Sequence, residues 1–444
     1  MRFTSFYNSN SALSLLFIFL FSLLSSCNEN DDDPEPPTQE SADVVFDWYK
    51  LILRMQLHGI PPVSGLLNNS NFGYIGVGLY EAVRPGMEGA PSLSTVLHQM
   101  PVMPAAQPGK EYMWRASANA ALASLTRLFS VNLTDASKAS IDSLENAYNQ
   151  RLQAENTGTA FTESQSFGRS IATAIHEWSK TDNFILSNAG YIPPVFPGAW
   201  EPTPASFANA AGPKIKDARP FLASNLTVEL PPLPFTYSED PSSEFYRMAK
   251  EVYDASKALT PEQKIIANSW ADVGGVGKGY PVPGHTVSIV TDILKERGAT
   301  LDQAAQIYAK TGIVHRDAII VLWKMKFHYN LMRPVTYINR FIDPTWQTLV
   351  PTPPYPEYPS ALAFIVGGVM QVLTREFGDN IPVTDNTYTW NGSAARQFSS
   401  FSKIAEEVAI SRVYAGIHYK IAVDEGLRLG KILGDKSADL NLGD

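Results

Sequence analysis

Helical periodicity runs through most of this chain and constrains its fold more than any other feature. Apolar residues recur at the spacing of one helix face, whereas the alternating pattern of a half-buried strand is scarce. Thr162 with Gln165 and Thr300 with Gln303 are capping pairs, and Thr260 precedes a proline at the first helical position. The sequence therefore predicts an all-α protein built from helical bundles. The predicted helices cover residues 44–57, 110–130, 134–153, 162–180, 242–258, 260–273, 284–298, 300–330, 360–377, 395–415 and 419–435.

One region, residues 185–238, interrupts the helical pattern and is rich in proline, asparagine and alanine. Proline lacks a backbone N–H and is excluded from helix interiors and central strands, so we expect a long loop. Such a loop often covers a site, although it can equally be a surface connection between two helical halves. We divide the folded chain here into an N-terminal helical part, residues 42–240, and a C-terminal helical part, residues 241–444.

The overall charge excludes some classes of partner. The chain has 35 Lys and Arg against 44 Asp and Glu, a formal net charge of −9 at pH 7. An acidic protein is poorly suited to general binding of nucleic acid or of an anionic membrane surface, so we expect no nucleic-acid partner. A cluster of basic residues in such a chain is informative wherever it occurs.

The N-terminal segment predicts export and lipid attachment. The apolar run Leu13–Leu24 follows Arg2, is short for a membrane span and fits the core of a signal peptide. It leads into Leu24-Ser25-Ser26-Cys27, which resembles a bacterial lipobox. Residues 1–26 are then a lipoprotein signal peptide, and Cys27, the one cysteine, carries the lipid. The alternative is a plain signal peptide with a chance cysteine.

Residues 27–41 are acidic, proline-rich and nearly free of apolar side chains, which predicts a disordered tether. An acidic run after a lipidated cysteine also resembles the surface-export signal of some Gram-negative lipoproteins, although a solvated linker explains it equally well. We therefore expect a protein secreted across the inner membrane and held in the cell envelope, at the outer membrane, through the lipid anchor. With its cysteine lipidated, the mature chain has no disulfide and depends on packing for stability.

Basic residues in the C-terminal part are the candidates for chemistry. Lys326 and Arg333 are seven residues apart, which predicts one face of a helix that Pro334 then ends. Such a pair is usually part of a solvated face. Here apolar neighbours, including Trp323 and Phe327, surround it, so a buried charge would need a partner.

Two further segments complete the set. Ser360 follows the rigid run PTPPYPEYP and opens an apolar helix, so it is a candidate N-cap and, with the amide of Ala361, a candidate anion ligand. Arg412 and His418 are six residues apart, and Gly416 between them allows a helix to end and the imidazole to turn back. Arginine forks, a lysine charge, a hydroxyl and free N–H groups are what encloses a tetrahedral oxyanion such as phosphate or vanadate.

In this order, the three segments resemble the signature of the vanadium-dependent haloperoxidases and the type 2 phosphatidic acid phosphatases. The segments are Lys326-x6-Arg333-Pro334, Pro359-Ser360 and Ser411-Arg412-x5-His418. Other stretches are similar to the secreted bacterial haloperoxidase branch. They are ADVV at 42–45, LYEAV at 79–83, WADVGG at 270–275, PGH at 283–285 and the run at 317–330.

The resemblance implies roles for the basic residues. The lysine, both arginines, the serine hydroxyl and the following backbone N–H hold the oxyanion in that family. The third-motif histidine binds vanadium or attacks phosphorus. The implied cofactor is vanadate, or phosphate in the same pocket, and the implied substrates are hydrogen peroxide with a halide, or a phosphoester. The corresponding residues here are Lys326, Arg333, Arg412, Ser360, Ala361 and His418.

Two positions depart from the family's pattern. Leu362 stands where the family has its acid–base histidine, and it cannot move a proton. Ala422 stands where the family has an aspartate that fixes the histidine tautomer, and Asp424 lies about 200° further round a helix. We therefore expect anion binding with weakened proton transfer, and we expect Leu362→His to raise activity.

Three other side chains are candidates for the missing proton transfer. His285 stands at a predicted helix start, where a structural role is the alternative, and His328 should point away from the face that carries Lys326. Glu357 would serve as an acid if burial raised its pKa, whereas the ordinary expectation is a solvated loop carboxylate.

These observations leave three functions. The first is a vanadate-dependent haloperoxidase-like lipoprotein, weakened by Leu362. The second is an acid phosphatase that acts through a phosphorylated His418, and the third is a non-catalytic oxyanion-binding envelope protein. We take the first as the leading prediction.

Overall fold

The computed structural model describes residues 40–58, 62–131, 133–155, 158–275 and 278–443. Within these residues the protein is mostly helical with little strand, which confirms the all-α prediction. The predicted signal peptide, Cys27 and the tether up to residue 39 lie outside the described residues. The helices are α1 (Asp43–Gln56), α2 (Gly65–Val83), α3 (Trp114–Phe129), α4 (Asp135–Glu155), α5 (Ala160–Ser179), α6 (Glu244–Lys257), α7 (Pro261–Ser269), α8 (Gly284–Glu296), α9 (Leu301–Tyr329), α10 (Pro334–Phe341), α11 (Ala361–Phe377), α12 (Phe401–Tyr414) and α13 (Lys420–Ala438).

A single two-stranded hairpin accompanies the helices in the described residues. Strand β1 (Val383–Asp385) pairs antiparallel with β2 (Arg396–Phe398), with Val383 opposite Phe398. The predicted helix over 395–415 is therefore wrong at its start, because its first residues form β2 and Ser400 caps α12 instead.

The capping predictions had mixed outcomes. Thr300 and Thr260 each form the complete reciprocal box with the glutamine three residues on. Thr162 does not cap, because α5 begins two residues earlier and the Thr162 hydroxyl donates to the Thr159 carbonyl at 2.9 Å.

Two helices, α2 and α10, are missing from the sequence prediction. Helix α2 is buried on nearly every side, including its Asn and Ser residues, so it has no amphipathic stripe to detect. It packs directly on α9 at Gly76, where a Cβ atom would lie 2.2 Å from the Tyr308 carbonyl oxygen. Glycine is therefore required for this close approach, although it weakens the helix signal.

The 29-residue helix α9 lies at the centre of the fold. It packs against α2, α11 and α13, and α11 in turn packs against α12 and α13. Buried residues of both predicted parts, such as Trp48 and Ile320, belong to one hydrophobic core, and the described residues form one compact unit. Ser41, the last residue of the predicted tether, forms a β-bridge with Thr300 at the start of α9.

The proline-rich segment contains no α-helix or strand in the structure, as predicted. It is tied to the residues that follow α9, since the Trp200 amide donates to the Asn330 carbonyl at 2.6 Å and the Met332 amide to the Gly198 carbonyl at 2.9 Å. The Ala211 amide likewise donates to the Pro354 carbonyl at 2.8 Å. The segment therefore borders the region of the basic residues.

None of the helices described here is both long and apolar enough to cross a membrane.

Candidate oxyanion site

Lys326 and Arg333 approach each other by a different route from the one predicted. Helix α9 ends at Tyr329 because Asn330 adopts the left-handed conformation, with φ of 46°. Arg333 is the N-cap residue of α10, and Pro334 begins that helix instead of ending the previous one. The prediction that both side chains share one face of a single helix is therefore wrong.

Lys326 is fully buried, and the loop before α11 surrounds its ammonium group. The Nζ atom donates to the carbonyl oxygens of Pro356, Glu357 and Pro359 at 3.0, 2.8 and 2.6 Å, which uses all three of its N–H groups. Burial and the neighbouring Arg333 lower the pKa of Lys326 well below its ordinary value. Lys326 therefore fixes this loop and contributes positive charge beside it.

Arg333 is also fully buried and only partly satisfied. Its Nε donates to the Tyr355 carbonyl at 2.9 Å, and its Nη1 donates to the Ile417 carbonyl at 2.9 Å. Its Nη2 has no partner among the described residues. The Tyr355 ring, which sequence reasoning missed, lies 5.0 Å from the guanidinium carbon and 5.2 Å from the Lys326 ammonium.

His418 lies in the short connection between α12 and α13. Helix α12 ends at Tyr414, and Gly416, at φ of 80°, turns the chain back as its sequence position suggested. The His418 Nε2 atom lies 3.1 Å from Arg333 Nη1, which can only donate, so Nε2 accepts and the proton resides on Nδ1. Burial and the charges of Arg333, Lys326 and Arg412 lower the pKa of His418 well below its ordinary value, so the imidazole is neutral.

Glu357 holds the other side of the imidazole, and the prediction of a solvated carboxylate is wrong. Its side chain is fully buried, and its Oε1 accepts from His418 Nδ1 at 2.7 Å and from the Tyr419 amide at 3.0 Å. Burial raises its pKa to about 7, although Arg333 and Lys326 oppose this shift. Glu357 therefore fixes the tautomer of His418. In the family's sequence pattern, this role belongs to an aspartate at the position of Ala422.

The positions near Ala422 contribute differently. The Ala422 carbonyl accepts from the Ser360 amide at 2.9 Å and so connects α13 to the start of α11. Asp424 pairs with Lys420 at 2.5 Å on the exposed surface. The sequence did contain a signal for Glu357. It is a carboxylate in a rigid proline-rich run, three residues before Ser360, and Ser360 was already predicted to lie beside two arginines and a lysine.

Arg412 is buried on the other side of the cluster. Its Nη1 donates to the carbonyl oxygen of Trp270, and its charge interacts with Asp272 and Arg333. Burial lowers the pKa of Arg412, and Asp272 partly opposes that effect. Trp270 and Asp272 belong to the WADVGG stretch. Residue spacing in the sequence could not reveal that this stretch lies beside Arg412.

Ser360 and Ala361 lie at the N-terminus of α11. Ser360 is the N-cap residue, but its side chain makes no capping hydrogen bond, and its buried Oγ has no partner among the described residues. Ala361 is the first helical residue, whose N–H has no acceptor within the helix. We call Lys326, Arg333, Ser360, Ala361, Arg412 and His418 the oxyanion site.

Orphaned polar atoms are uncommon in protein interiors, and two donors of this kind belong to residues of the oxyanion site. The Arg333 Nη2 lacks a partner beside a neutral imidazole nitrogen, and the Ser360 Oγ lacks one directly after the loop that encloses Lys326. Charge-assisted bonds from guanidinium and hydroxyl groups are strong toward oxyanions. The chemistry of this donor set therefore fits a tetrahedral oxyanion such as vanadate or phosphate.

A cavity of about 320 Å³ leads to the oxyanion site. Its wall is mainly apolar and aromatic, with Trp323 and Tyr355 on one side and Arg412 among its few charged groups. Leu362 lines this cavity at the position of the family's acid–base histidine, so no imidazole is present there to transfer a proton.

The other candidate side chains lie elsewhere. His328 is exposed, on a different side of α9 from Lys326, as predicted. His285 lies in the first turn of α8, between the carboxylates of Asp272 and Asp385.

The fold recurs in solved structures. The crystal structure of a bacterial vanadium-dependent iodoperoxidase superposes with a TM-score of 0.82 at 30% identity, covering 92% of this chain and 99% of that one. This chain belongs to the vanadium haloperoxidase family. A bacterial vanadium-dependent chloroperoxidase superposes with a TM-score of 0.62 at 16% identity, over 85% and 92% of the two chains, and so shares the fold.

Sequence comparisons connect the same family to the C-terminal part. Residues 306–442 match the family model of the VCPO second helical-bundle domain, a range that contains all six residues of the oxyanion site. Vanadium chloroperoxidase of Curvularia inaequalis is 25% identical over 167 residues, a match that covers 26% of this chain and 27% of that enzyme. The chain thus spans about a quarter of the length of this curated vanadium haloperoxidase.

Proposed function

We propose that this vanadium haloperoxidase family member is an enzyme that binds vanadate and uses hydrogen peroxide to oxidise a halide ion. The observation that carries the proposal is a pair of buried donors without partners among the described residues. One is Arg333 Nη2, on the guanidinium that contacts the neutral Nε2 of His418, and the other is Ser360 Oγ, directly after the loop around Lys326. The similarity to a bacterial vanadium-dependent iodoperoxidase over nearly its full length supports it.

The residues of the oxyanion site would divide the work as follows. Arg333, Arg412 and the Ser360 hydroxyl would hold the vanadate oxygens, and Lys326 would supply further positive charge from within the loop. Vanadate, when bound, supplies the activation of hydrogen peroxide toward a halide ion. Glu357 keeps the proton on His418 Nδ1, so Nε2, which accepts from Arg333 Nη1 in this structure, is the unprotonated nitrogen that would bind vanadium.

The cost of Leu362 is expected to appear in the rate. A positioned acid–base group contributes roughly 10²–10⁴-fold in typical enzymes, and the leucine side chain has no such group. We therefore expect vanadate affinity to be retained, because none of the anion donors is replaced, and we expect efficient turnover to need another acid–base group in place of Leu362.

The test is an assay of purified protein with orthovanadate, hydrogen peroxide and either bromide or iodide, followed by halogenation of a phenol dye. We expect turnover that depends on vanadate and is lost in His418→Ala, with His328→Ala as the matched control because His328 is exposed. Turnover that persists without vanadate, or in His418→Ala, would contradict the proposal.

A parallel assay addresses the phosphatase alternative with a chromogenic phosphate ester and no vanadate. Release of phosphate through His418, without halide oxidation, would assign the site to phosphoester hydrolysis. Binding of vanadate without either turnover would assign it to non-catalytic oxyanion binding. The same donors bind both anions, so the two assays are run on one preparation.

We also propose that the protein is a lipoprotein of the outer membrane, anchored through Cys27. The lipobox-like Leu24-Ser25-Ser26-Cys27 and the acidic residues after it support this location. Mass spectrometry of the protein purified from membranes should find a lipidated Cys27 as the first residue, and Cys27→Ser should shift the protein to the soluble fraction. An unmodified Cys27 in the membrane fraction would contradict the anchor.

A further inference from the structure

A second buried ionic cluster lies next to the oxyanion site. His285 Nδ1 is 3.0 Å from Asp272 Oδ1, and His285 Nε2 is 2.8 Å from Asp385 Oδ2. The Tyr388 hydroxyl also donates to Asp272 Oδ1 at 3.0 Å. The side chains of the three acid–base residues are 1–4% exposed. We call Asp272, His285 and Asp385 the acid cluster.

The acid cluster touches Arg412 of the oxyanion site through residues 270–272. The Trp270 ring stacks on the His285 ring with centroids 4.1 Å apart, while the Trp270 carbonyl accepts from Arg412. The charge of Asp272 acts on the same guanidinium group. The acid cluster is therefore electrostatically part of the oxyanion site, although its residues come from different segments of the chain.

The acid cluster also connects two cavities. Asp272 lines the 320 Å³ cavity together with Ala361, Leu362 and Arg412. Asp272 and Asp385 both line a second, larger cleft of about 660 Å³. Charged and polar side chains such as those of Lys278 and Arg396 line this cleft, so it is suited to water. Asp272 thus borders both cavities, and hydrogen bonds connect it through His285 to Asp385 in the outer cleft.

The proposed reaction needs such a connection. Oxidation of a halide ion by hydrogen peroxide consumes one proton for each hypohalous acid and water molecule formed. The inner cavity is mainly apolar, and the family's acid–base position there is Leu362. Two protons must move during the reaction: one leaves hydrogen peroxide, and one is taken up from solvent. Without a titratable side chain that reaches the cavity, neither transfer could be rapid.

We propose that Asp272 is the acid–base residue of this protein, in place of the histidine that Leu362 replaces, and that His285 and Asp385 relay protons to it from the outer cleft. This inference rests on the proposed function. As peroxide enters, one of its O–H bonds breaks, the oxygen keeps the electron pair, and the proton passes to the Asp272 carboxylate. Asp272 then returns that proton to the oxygen that departs as water, and the proton consumed overall arrives through His285.

The protonation of His285 supports the relay. Burial lowers its pKa, but the carboxylates of Asp272 and Asp385 outweigh burial and raise the pKa to about 10. The ring therefore carries a proton on each nitrogen at neutral pH, one shared with each carboxylate. An imidazole in that state can give a proton at Nδ1 and take one at Nε2 without turning.

The alternative is that the acid cluster is a purely structural ion network that holds Arg412 in place. The two interpretations differ at Asp385, which contacts His285 but lies at the cleft end of the chain. If the network is only structural, Asp385→Asn should change the stability of the protein and leave turnover unchanged. A relay requires it to slow turnover and to change the solvent deuterium isotope effect.

The kinetic test uses Asp272→Asn, Leu362→His and the double variant in the vanadate-dependent assay. We expect Asp272→Asn to lower kcat by about 10²-fold or more with little change in the KM for peroxide. Leu362→His should then raise kcat at least about tenfold in the Asp272→Asn background and far less in the wild type, because the wild type already has its acid–base group. Equal gains in the two backgrounds would overturn the proposal.

A second readout needs no vanadate and no turnover. Binding of inorganic phosphate, followed by calorimetry in buffers of different ionisation enthalpy, counts the protons exchanged with solvent. If the proton that bound phosphate loses passes to the relay, Asp272→Asn should release more protons to solvent than the wild type on binding phosphate. Asp292→Asn is the matched control, because it removes a nearby carboxylate outside the acid cluster. Identical proton counts for wild type and Asp272→Asn would sink the relay.

The two experiments separate the inference from the proposed function. Absence of halide oxidation in the wild type rejects the haloperoxidase proposal, while the calorimetric count still decides whether Asp272 exchanges protons with a bound oxyanion. If Asp272→Asn fails to fold, Asp385→Asn carries the test, with an unchanged kcat and isotope effect as the contrary result.

Discussion

Two buried histidines, His418 and His285, show how the same type of side chain takes different protonation states within one protein. Each has a carboxylate on Nδ1, Glu357 in one case and Asp272 in the other. The difference lies at Nε2, which faces the Arg333 guanidinium in His418 and the Asp385 carboxylate in His285. His418 is therefore neutral and a potential ligand, while His285 is an imidazolium.

The difference teaches that the charge balance of the surroundings, and not burial, decides the protonation state here. Burial lowers the pKa of both rings. The oxyanion site combines three cations with one carboxylate and so lacks negative charge, whereas the acid cluster combines two carboxylates with one cation. The first arrangement is suited to an anionic guest, and the second to holding and moving protons.

The largest expected effect comes from removing the positive charge of the acid cluster. His285→Gln leaves Asp272 and Asp385 without their shared counter-charge, so the free energy of unfolding should fall by about 3–5 kcal/mol near neutral pH. Chemical denaturation measures this loss, and His328→Gln, at an exposed position, should change little.

The pH dependence of that loss sharpens the test. The folded pKa of His285, about 10, is above the ordinary value of 6.5, so its stabilisation is fully present below pH 6.5 and is lost as pH rises through about 10. The stability of the wild type should therefore approach that of His285→Gln above pH 10. A difference that stays constant across this range would show that the ring is not held as an imidazolium.

The next effect concerns Glu357, whose pKa of about 7 lies above its ordinary value because the group is buried. Its contribution to stability is present below about pH 4.5 and is lost as pH rises through about 7. Without a bound anion, the wild type should lose of the order of 3 kcal/mol between pH 5 and 8 from this group. Glu357→Gln has no charge there and should remove this loss.

Urea denaturation of both proteins at the two pH values provides the measurement, with phosphate excluded from the buffers. Glu406→Gln is a suitable control, since Glu406 is exposed and pairs, among the described residues, only with Lys403, so it should leave the pH profile of the wild type between pH 5 and 8 unchanged. A profile for Glu357→Gln that parallels the wild type would show that another group is responsible.

Much of the fold could be predicted from the sequence, because most helices are half-buried and show their period. Helix α2 escaped prediction because it is buried on nearly all sides and contains the glycine that lets it approach α9. Helix α10 escaped because Pro334 was interpreted as the end of a helix, whereas proline also begins one. The first error arises from tertiary packing that a local pattern does not record, and the second from a proline that can stand at either end of a helix.

The residue types of the candidate site could be predicted from the sequence, whereas the hydrogen bonds between them could not. The sequence placed Arg333 and His418 in one site, and the structure brings them within 3.1 Å. The carboxylate that orients His418 comes from Glu357, 61 residues earlier in the chain, where sequence analysis predicted solvent exposure. Partners this distant are set by how the 356–359 loop folds around Lys326, which residue spacing does not encode.

The smallest expected effect is at Ser360, whose buried hydroxyl has no partner among the described residues. Ser360→Ala removes this unpaired group, so the free energy of unfolding of the anion-free protein should rise by about 1 kcal/mol. The same change removes one hydrogen bond to a bound oxyanion, so phosphate affinity should fall about fivefold.

The matched control is Ser411→Ala, because the equally buried Ser411 hydroxyl already donates to the Val408 carbonyl at 2.6 Å. Calorimetry should find unchanged phosphate affinity in that control, and an unchanged affinity in Ser360→Ala as well would mean that the hydroxyl does not face the anion.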